Sequence, residues 1–137
     1  MLKKRLTVCM AAALACVLLL GCGAGARLRV SDDNIAGIMI MTLPQSEEKA
    51  RTYTSSEKID KITEYLNGLS LDNRFSENPD DYAGETIVIA ISYADGSRRA
   101  FYHFGNLFIK ESDGDWLRMS YQQASQLDSL IQDNPSD

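Results

Sequence analysis

Apolar and polar positions along the chain form two kinds of pattern, and the first predicts a pair of strands. Residues 35–43 (IAGIMIMTL) are rich in strand-forming side chains and end at a turn cluster, residues 44–47. Residues 49–53 form a second, weaker run that returns from this turn. The pattern therefore predicts two strands at the start of the folded region, without fixing their position in a sheet.

A helical pattern follows the two strands. Apolar residues recur at intervals of three and four positions, which places them on one face of a helix. These residues are Ile59, Ile62, Leu66 and Leu69. Thr54 and Glu57 have the spacing of a capping box at the start of this helix, and Asn67-Gly68 is a typical end. Residues 71–84 are then predicted to form a polar loop, and loops of this length are often functional.

Two turn signals in the next region predict a hairpin register. Asp95-Gly96 suits a two-residue turn, which would place Ile89 opposite Tyr102. Gly105-Asn106 suits another two-residue turn, which would place Tyr102 opposite Ile109. Opposed residues share a face of the sheet, so this register predicts an apolar face. Its members on the first two of these strands are Ile87, Ile89, Ile91, Ala100, Tyr102 and Phe104.

The third turn is predicted from the cost of burying a charge. A two-residue turn at Asp113-Gly114 would place Arg118 opposite Ile109 on the buried face, which is unfavourable for an unpaired charge. A three-residue turn over residues 112–114 instead pairs Ile109 with Leu117. We therefore prefer the three-residue turn, in which pattern and turn chemistry agree.

A final helix completes the predicted fold. A second capping box, Ser120 to Gln123, begins this helix. Its apolar side comprises Ala124, Leu127, Leu130 and Ile131. The predicted fold is α+β: an antiparallel sheet of about five to six strands with two helices packed on one face, in the order ββαββββα. It occupies residues 35–132 as a single domain, and residues 133–137 are expected to fray.

The predicted register gathers aromatic and basic side chains on the helix-free face of the sheet. They are Arg99, Phe101, His103, Phe108, Lys110, Trp116 and Arg118. Aromatic and arginine side chains are common anchors of interfaces, so this face is a candidate binding surface for a glycan stacked on Trp116 and Phe108 or for an acidic protein. The alternative is structural: basic stems cover the rings, or the first two strands or the long loop cover the face.

The N-terminal residues follow the order of a secretory signal peptide. Three basic residues precede an uncharged apolar stretch of 15 residues, which is shorter than a membrane-spanning helix. The stretch leads into Leu19-Leu20-Gly21-Cys22, which resembles the bacterial lipobox. The resemblance implies cleavage after Gly21 and lipid attachment to Cys22, and thus a chain anchored to the outer face of the bacterial cytoplasmic membrane. The alternatives are a plain secretory signal or an uncleaved anchor.

The complete layout, a lipobox signal, a short tether and one α+β domain, resembles the small lipoproteins of Gram-positive bacteria. Residues 1–21 are then the signal peptide, and residues 22–34 are the lipidated cysteine and a flexible tether. Those families have no assigned catalytic residues. The resemblance therefore implies lipidation and an extracytoplasmic location, and no catalytic role.

Charge and cysteine content argue against two further features, a nucleic-acid partner and an internal disulfide. The chain has 14 Lys and Arg against 19 Asp and Glu, and loss of three basic residues with the signal changes the net charge from −5 to −8. This balance argues against a nucleic-acid partner, which would require a basic face. Cys9 and Cys16 lie within the signal, so the mature chain would keep Cys22 alone and form no internal disulfide.

Candidate catalytic chemistry is sparse. His103 is the only histidine, so a site with several histidine ligands is impossible, and no nucleophile motif accompanies it. A small cell-envelope hydrolase and a calcium-binding domain remain alternatives. The calcium hypothesis uses Glu111, Asp113 and Asp115, with further oxygen ligands in the long loop from Asn78, Asp80 and Asp81. Neither set matches the spacing of an EF-hand. We expect a non-catalytic binding or accessory role without cofactor or metal.

Overall fold

The computed structural model describes residues 25–44 and 49–132. The strands are β1 (Ile35–Leu43), β2 (Arg51–Tyr53), β3 (Leu71–Asp72), β4 (Thr86–Tyr93), β5 (Arg98–Phe104), β6 (Phe108–Glu111) and β7 (Leu117–Met119). The helices are α1 (Ser56–Gly68), α2 (Tyr121–Ala124) and α3 (Gln126–Gln132), with a 3-10 turn at Pro79–Asp81. Among these residues the strands form one antiparallel sheet of seven strands in the order β2-β1-β4-β5-β6-β7-β3.

The predicted α+β class is confirmed, and the sheet has more strands than predicted. The additional strand lies where the sequence predicts only a polar loop: Leu71 pairs with Met119 and Asp72 pairs with Arg118. A two-residue strand has too short an alternation to be recognised from sequence. The position of the first two strands in the sheet, which the sequence leaves open, is also clear. β1 pairs with β4 over most of its length, and β2 lies at the outer edge of the sheet.

The two main helical segments lie close to their predicted positions, but their caps differ. The N-cap of α1 is Ser55 rather than Thr54, and its hydroxyl accepts a hydrogen bond of 3.3 Å from the amide of Lys58. Ser120 is the N-cap of α2, without a side-chain cap bond. Gln123 accepts from the amide of Ser70 at 2.9 Å instead of closing a capping box. The cap motifs therefore located the helix starts to within one residue, but they did not predict the hydrogen bonds of the caps.

The core lies between the helices and one face of the sheet. Its residues without solvent exposure come from both layers: Ile38, Ile62, Leu66, Ile89, Ile91, Phe101, Ile109, Ala124 and Leu127. Burial of a large aliphatic or aromatic side chain contributes about 1.5–3 kcal/mol. This face of the sheet is therefore the one that holds the fold together, and the opposite face is helix-free.

The segment before β1 is part of the domain. Leu28 and Val30 are buried in the core, and Ala26 forms a β-bridge with Leu71. The side chain of Asn67 accepts from the Val30 amide at 2.7 Å and donates to the Val30 carbonyl at 2.9 Å, as a neighbouring strand would. The prediction of a flexible tether is therefore wrong for residues 26–30. The predicted signal peptide, Cys22 and residues 133–137 lie outside the described residues.

The predicted register of the first hairpin is wrong by one residue. Ile89 lies opposite Phe101 rather than Tyr102. The turn contains three residues, because the Tyr93 amide donates to the Ser97 carbonyl at 2.9 Å. Gly96 alone has a positive φ there, of 87°, whereas a two-residue type I′ turn would need positive φ at both central positions. A one-residue shift exchanges the two faces of a strand, so every side chain of β5 lies on the face opposite to the predicted one.

The second turn also differs, and it restores the predicted faces of the later strands. Gly105 and Asn106 both have positive φ, but Phe104 pairs with Phe108, so one further residue lies in the connection. This second shift cancels the first. The third prediction is confirmed, since Ile109 pairs with Leu117.

Candidate binding face

The structure separates the seven predicted site residues into two groups. Arg99, Phe101 and His103 lie on the helix-covered face, opposite Ile91, Ile89 and Ile87. The other four remain with the helix-free side, where their rings and cationic groups contact one another: Phe108, Lys110, Trp116 and Arg118. The predicted single surface of seven residues therefore does not exist.

Phe108 is the centre of an aromatic cluster under the long loop. Its ring has no solvent exposure and contacts Phe75 and Tyr82 of that loop at centroid distances of 5.5 and 5.4 Å. Trp116 contacts it at 6.4 Å, and the guanidinium carbon of Arg118 lies 5.1 Å from its centre. The loop thus covers this part of the face, as the structural alternative predicts, and the hypothesis of a glycan stacked on Phe108 is wrong.

Lys110 lies on the uncovered side of this cluster. Its ammonium group is 4.9 Å from the Trp116 ring centre and 5.7 Å from that of Tyr102. Arg98 lies further along the same face, opposite Ser92, and is exposed. Neither cation forms an ion pair with a residue that the structure describes. Within residues 25–44 and 49–132, both cations therefore remain able to pair with a further anionic group.

The central part of the helix-free face is apolar and only half-buried. Two rows of paired residues cross β1, β4 and β5, and we call them the open strip: Met39, Ala90 and Ala100 in one row, and Met41, Val88 and Tyr102 in the other. Val88 at the centre is buried by its neighbours, whereas the other five are partly exposed and do not pack against the core. Solvated faces of antiparallel sheets usually carry polar side chains, so this composition is unusual.

Arg99 has a structural role on the other face. Its guanidinium group donates to both carboxylate oxygens of Glu111, at 2.7 and 3.0 Å, and to the carbonyl of Arg29 at 2.8 Å. This bidentate contact holds the pKa of Glu111 below its ordinary value. Arg99 therefore connects the sheet to the N-terminal segment. It also binds both oxygens of Glu111, which is one of the carboxylates in the calcium hypothesis.

His103 is a buried, hydrogen-bonded core residue. It is 1 % exposed, and its Nε2 lies 2.7 Å from the hydroxyl of Tyr65. That hydroxyl also lies 3.1 Å from the Ala124 carbonyl, which can only accept, so the arrangement that satisfies these groups has Nε2–H donating to Tyr65. Burial lowers the pKa of His103 to about 4, against a smaller opposing effect of Asp128. The imidazole is thus neutral at pH 7, and it lies in the wall of a surface pocket that Asp128 also lines.

Tyr65 is the partner that the sequence reading missed. It lies on α1 and is buried, and burial raises the pKa of its phenol. Its position three residues after Ile62 and four before Leu69 places it on the same helical face. Helical spacing could therefore have identified it as a core residue, although not as the partner of His103.

Comparison with known proteins adds no relative. No protein-family model, no curated protein and no solved structure matches the chain. Within residues 25–44 and 49–132 no helix is long and apolar enough to cross a membrane. Over the same residues no three His, Cys, Asp or Glu side chains are grouped so that they could hold a metal ion.

Proposed function

We propose that this chain is a lipid-anchored extracytoplasmic domain with a non-catalytic role, and that it binds a protein partner through the open strip. The observation that carries the proposal is the open strip itself: a partly exposed apolar surface, bordered by Lys110 and Arg98, on the helix-free face of the sheet. An apolar centre with a polar border is the usual composition of an interface.

The buried position of His103 supports a binding role over a catalytic one. An enzyme needs a base or nucleophile that reaches its substrate, and the only imidazole of the chain is enclosed between the sheet and the helices. The partly exposed residues of the open strip are methionine, alanine and tyrosine, with two cations at its border, and these side chains suit contact rather than bond cleavage.

Photocrosslinking in the producing cells tests the binding surface. With Met39 of the open strip replaced by photoreactive p-benzoylphenylalanine, we expect a discrete adduct with another polypeptide. The same replacement at Asp60, which is exposed on α1, is the matched control and should give none. Equal adduct yields from the two positions, or none from Met39, would contradict the proposed surface.

The proposed anchor is tested independently of the surface. Cys22→Ala removes the thiol that the lipobox resemblance assigns to the lipid, so we expect the protein to move from the detergent phase to the aqueous phase in a phase-partition assay. Cys16→Ala, within the predicted signal, should leave partitioning unchanged. Detergent partitioning and signal processing that are both unaltered in Cys22→Ala would show that the lipid is not attached there.

A further inference from the structure

From the charges and dimensions of the open strip we infer that its occupant is a single acidic, amphipathic segment of another protein, lying along the strands. This inference rests on the proposed function and adds the chemistry of the partner. Three observations carry it: two cations that have no ion pair with a described residue, the size of the strip, and the positions of the cations around it.

The two cations determine the sign of the charge that the partner should carry. Lys110 and Arg98 border the strip and lack ion pairs with described residues, while the mature chain as a whole would carry a net charge of −8. This face is thus locally basic in an acidic protein. Carboxylates of a partner would be attracted to this border and repelled elsewhere, which favours one docking orientation.

The size of the strip argues for a segment rather than a second copy of this chain. Two rows of side chains across three strands cover an area on the order of 200 Å², given strand spacings of about 4.8 Å and a two-residue repeat of about 7 Å. A stable interface between globular proteins buries roughly 800 Å² on each partner. Two copies joined through the strip would also bring their unpaired cations together. A single peptide segment can bind with a smaller buried area, and it does not bring a second set of these cations to the strip.

The spacing of the cations gives the direction of the segment. Arg98 and Tyr102 are four residues apart on β5, a distance of about 13 Å along an extended strand. Lys110 lies directly opposite Tyr102 on β6. Arg98 therefore lies beyond one end of the strip on β5, and Lys110 lies beside its other end on β6. A segment lying along β4 and β5 would meet them with acidic residues about 13 Å apart along the strand direction. Its apolar residues would contact Met41, Ala90 and Ala100.

Charge reversal in the crosslinking strain tests this inference. Lys110→Glu, combined with the photoreactive group at Met39, should reduce the adduct yield severalfold, because a favourable contact becomes a repulsive one. Lys110→Gln should give an intermediate yield and Lys110→Arg should restore it. Arg27→Glu, an exposed charge reversal away from the strip, is the matched control and should have no effect. A circular dichroism melt of each variant confirms that its fold is retained.

The identity of the crosslinked peptide completes the test. Mass spectrometry should locate the adduct in an amphipathic segment that contains at least two acidic residues. An adduct with a second copy of this chain, with a segment that lacks acidic residues, or with a yield unaffected by Lys110→Glu would overturn the inference and leave the strip as a binding surface. The absence of any adduct from Met39 would overturn the proposed function together with it.

Discussion

Phe101→Ala is expected to lower the free energy of unfolding by about 3–5 kcal/mol, the usual cost of removing a fully buried phenylalanine ring. Phe101 has no solvent exposure and lies between Ile89 and Glu111 in the pairing across β4, β5 and β6. Urea denaturation monitored by circular dichroism measures this change.

Tyr102→Ala is the matched control, because it removes an aromatic ring from the next position of the same strand. Tyr102 is partly exposed on the helix-free face, so its loss should cost about 1 kcal/mol or less. The two-residue turn expected from sequence would bury Tyr102 and expose Phe101, and it therefore predicts the opposite order. A larger destabilisation from Tyr102→Ala than from Phe101→Ala would show that the register described above is wrong.

Acidification from pH 7 towards pH 4 is expected to destabilise the protein through His103. Burial lowers the pKa of His103 to about 4, whereas an unfolded histidine has a pKa of 6.5. The unfolded state therefore binds more protons than the folded state between these pH values. The contribution of neutral His103 to stability is fully present above pH 6.5 and is lost as the pH falls towards 4. The difference corresponds to roughly 3 kcal/mol by pH 4.

The window from pH 7 to pH 5 isolates this effect, since His103 is the only histidine of the chain. The free energy of unfolding should fall by about 2 kcal/mol across it in the unmodified protein. In His103→Gln the titrating group is gone, so the slope should become nearly flat, whatever the absolute stability of the variant. A slope that persists in His103→Gln would assign the pH dependence to other groups.

The fold class and the helices could be predicted because their signals are local. Spacings of three and four positions located α1 and the final helical segment. Strand-forming side chains ahead of a turn cluster located β1, and turn signals located the strands after residue 85. The burial of Leu28 and Val30 could not be predicted, because two apolar residues in a polar segment have no period. Their place in the core depends on contacts with Asn67 and Leu71, which are distant in the sequence.

The register of β5 could not be predicted because aromatic residues occupy both of its faces. Phe101 and His103 alternate with Tyr102 and Phe104, so either register gives a face with large rings. The geometry of the turn sets the register. In the turn, Asp95 accepts hydrogen bonds from the amide and hydroxyl of Ser97 at 2.8 and 2.6 Å, and Gly96 has the left-handed conformation. Both turn types accept the Asp-Gly sequence, so the sequence alone does not distinguish them.

The ambiguous register of β5 determined which residues were assigned to the candidate site. With β5 inverted, Arg99, Phe101 and His103 appeared to join the aromatic and basic residues of β6 and β7. The structure instead gives their places on the helix-free face to Ala100 and Tyr102, which belong to the open strip. Residues of β6 and β7 kept their predicted face because the second turn compensated the first.

The docked N-terminal segment also determines how the domain would stand on a bilayer. Under the proposed lipidation, Cys22 precedes the bridge residue Ala26 by four positions, which a fully extended chain spans in at most about 14 Å. The acyl chains would thus hold the β3 edge of the sheet close to the headgroups. The strand order places β4, the middle of the open strip, four strand spacings from that edge, or about 19 Å. The anchor and the contact surface would therefore occupy opposite halves of one sheet.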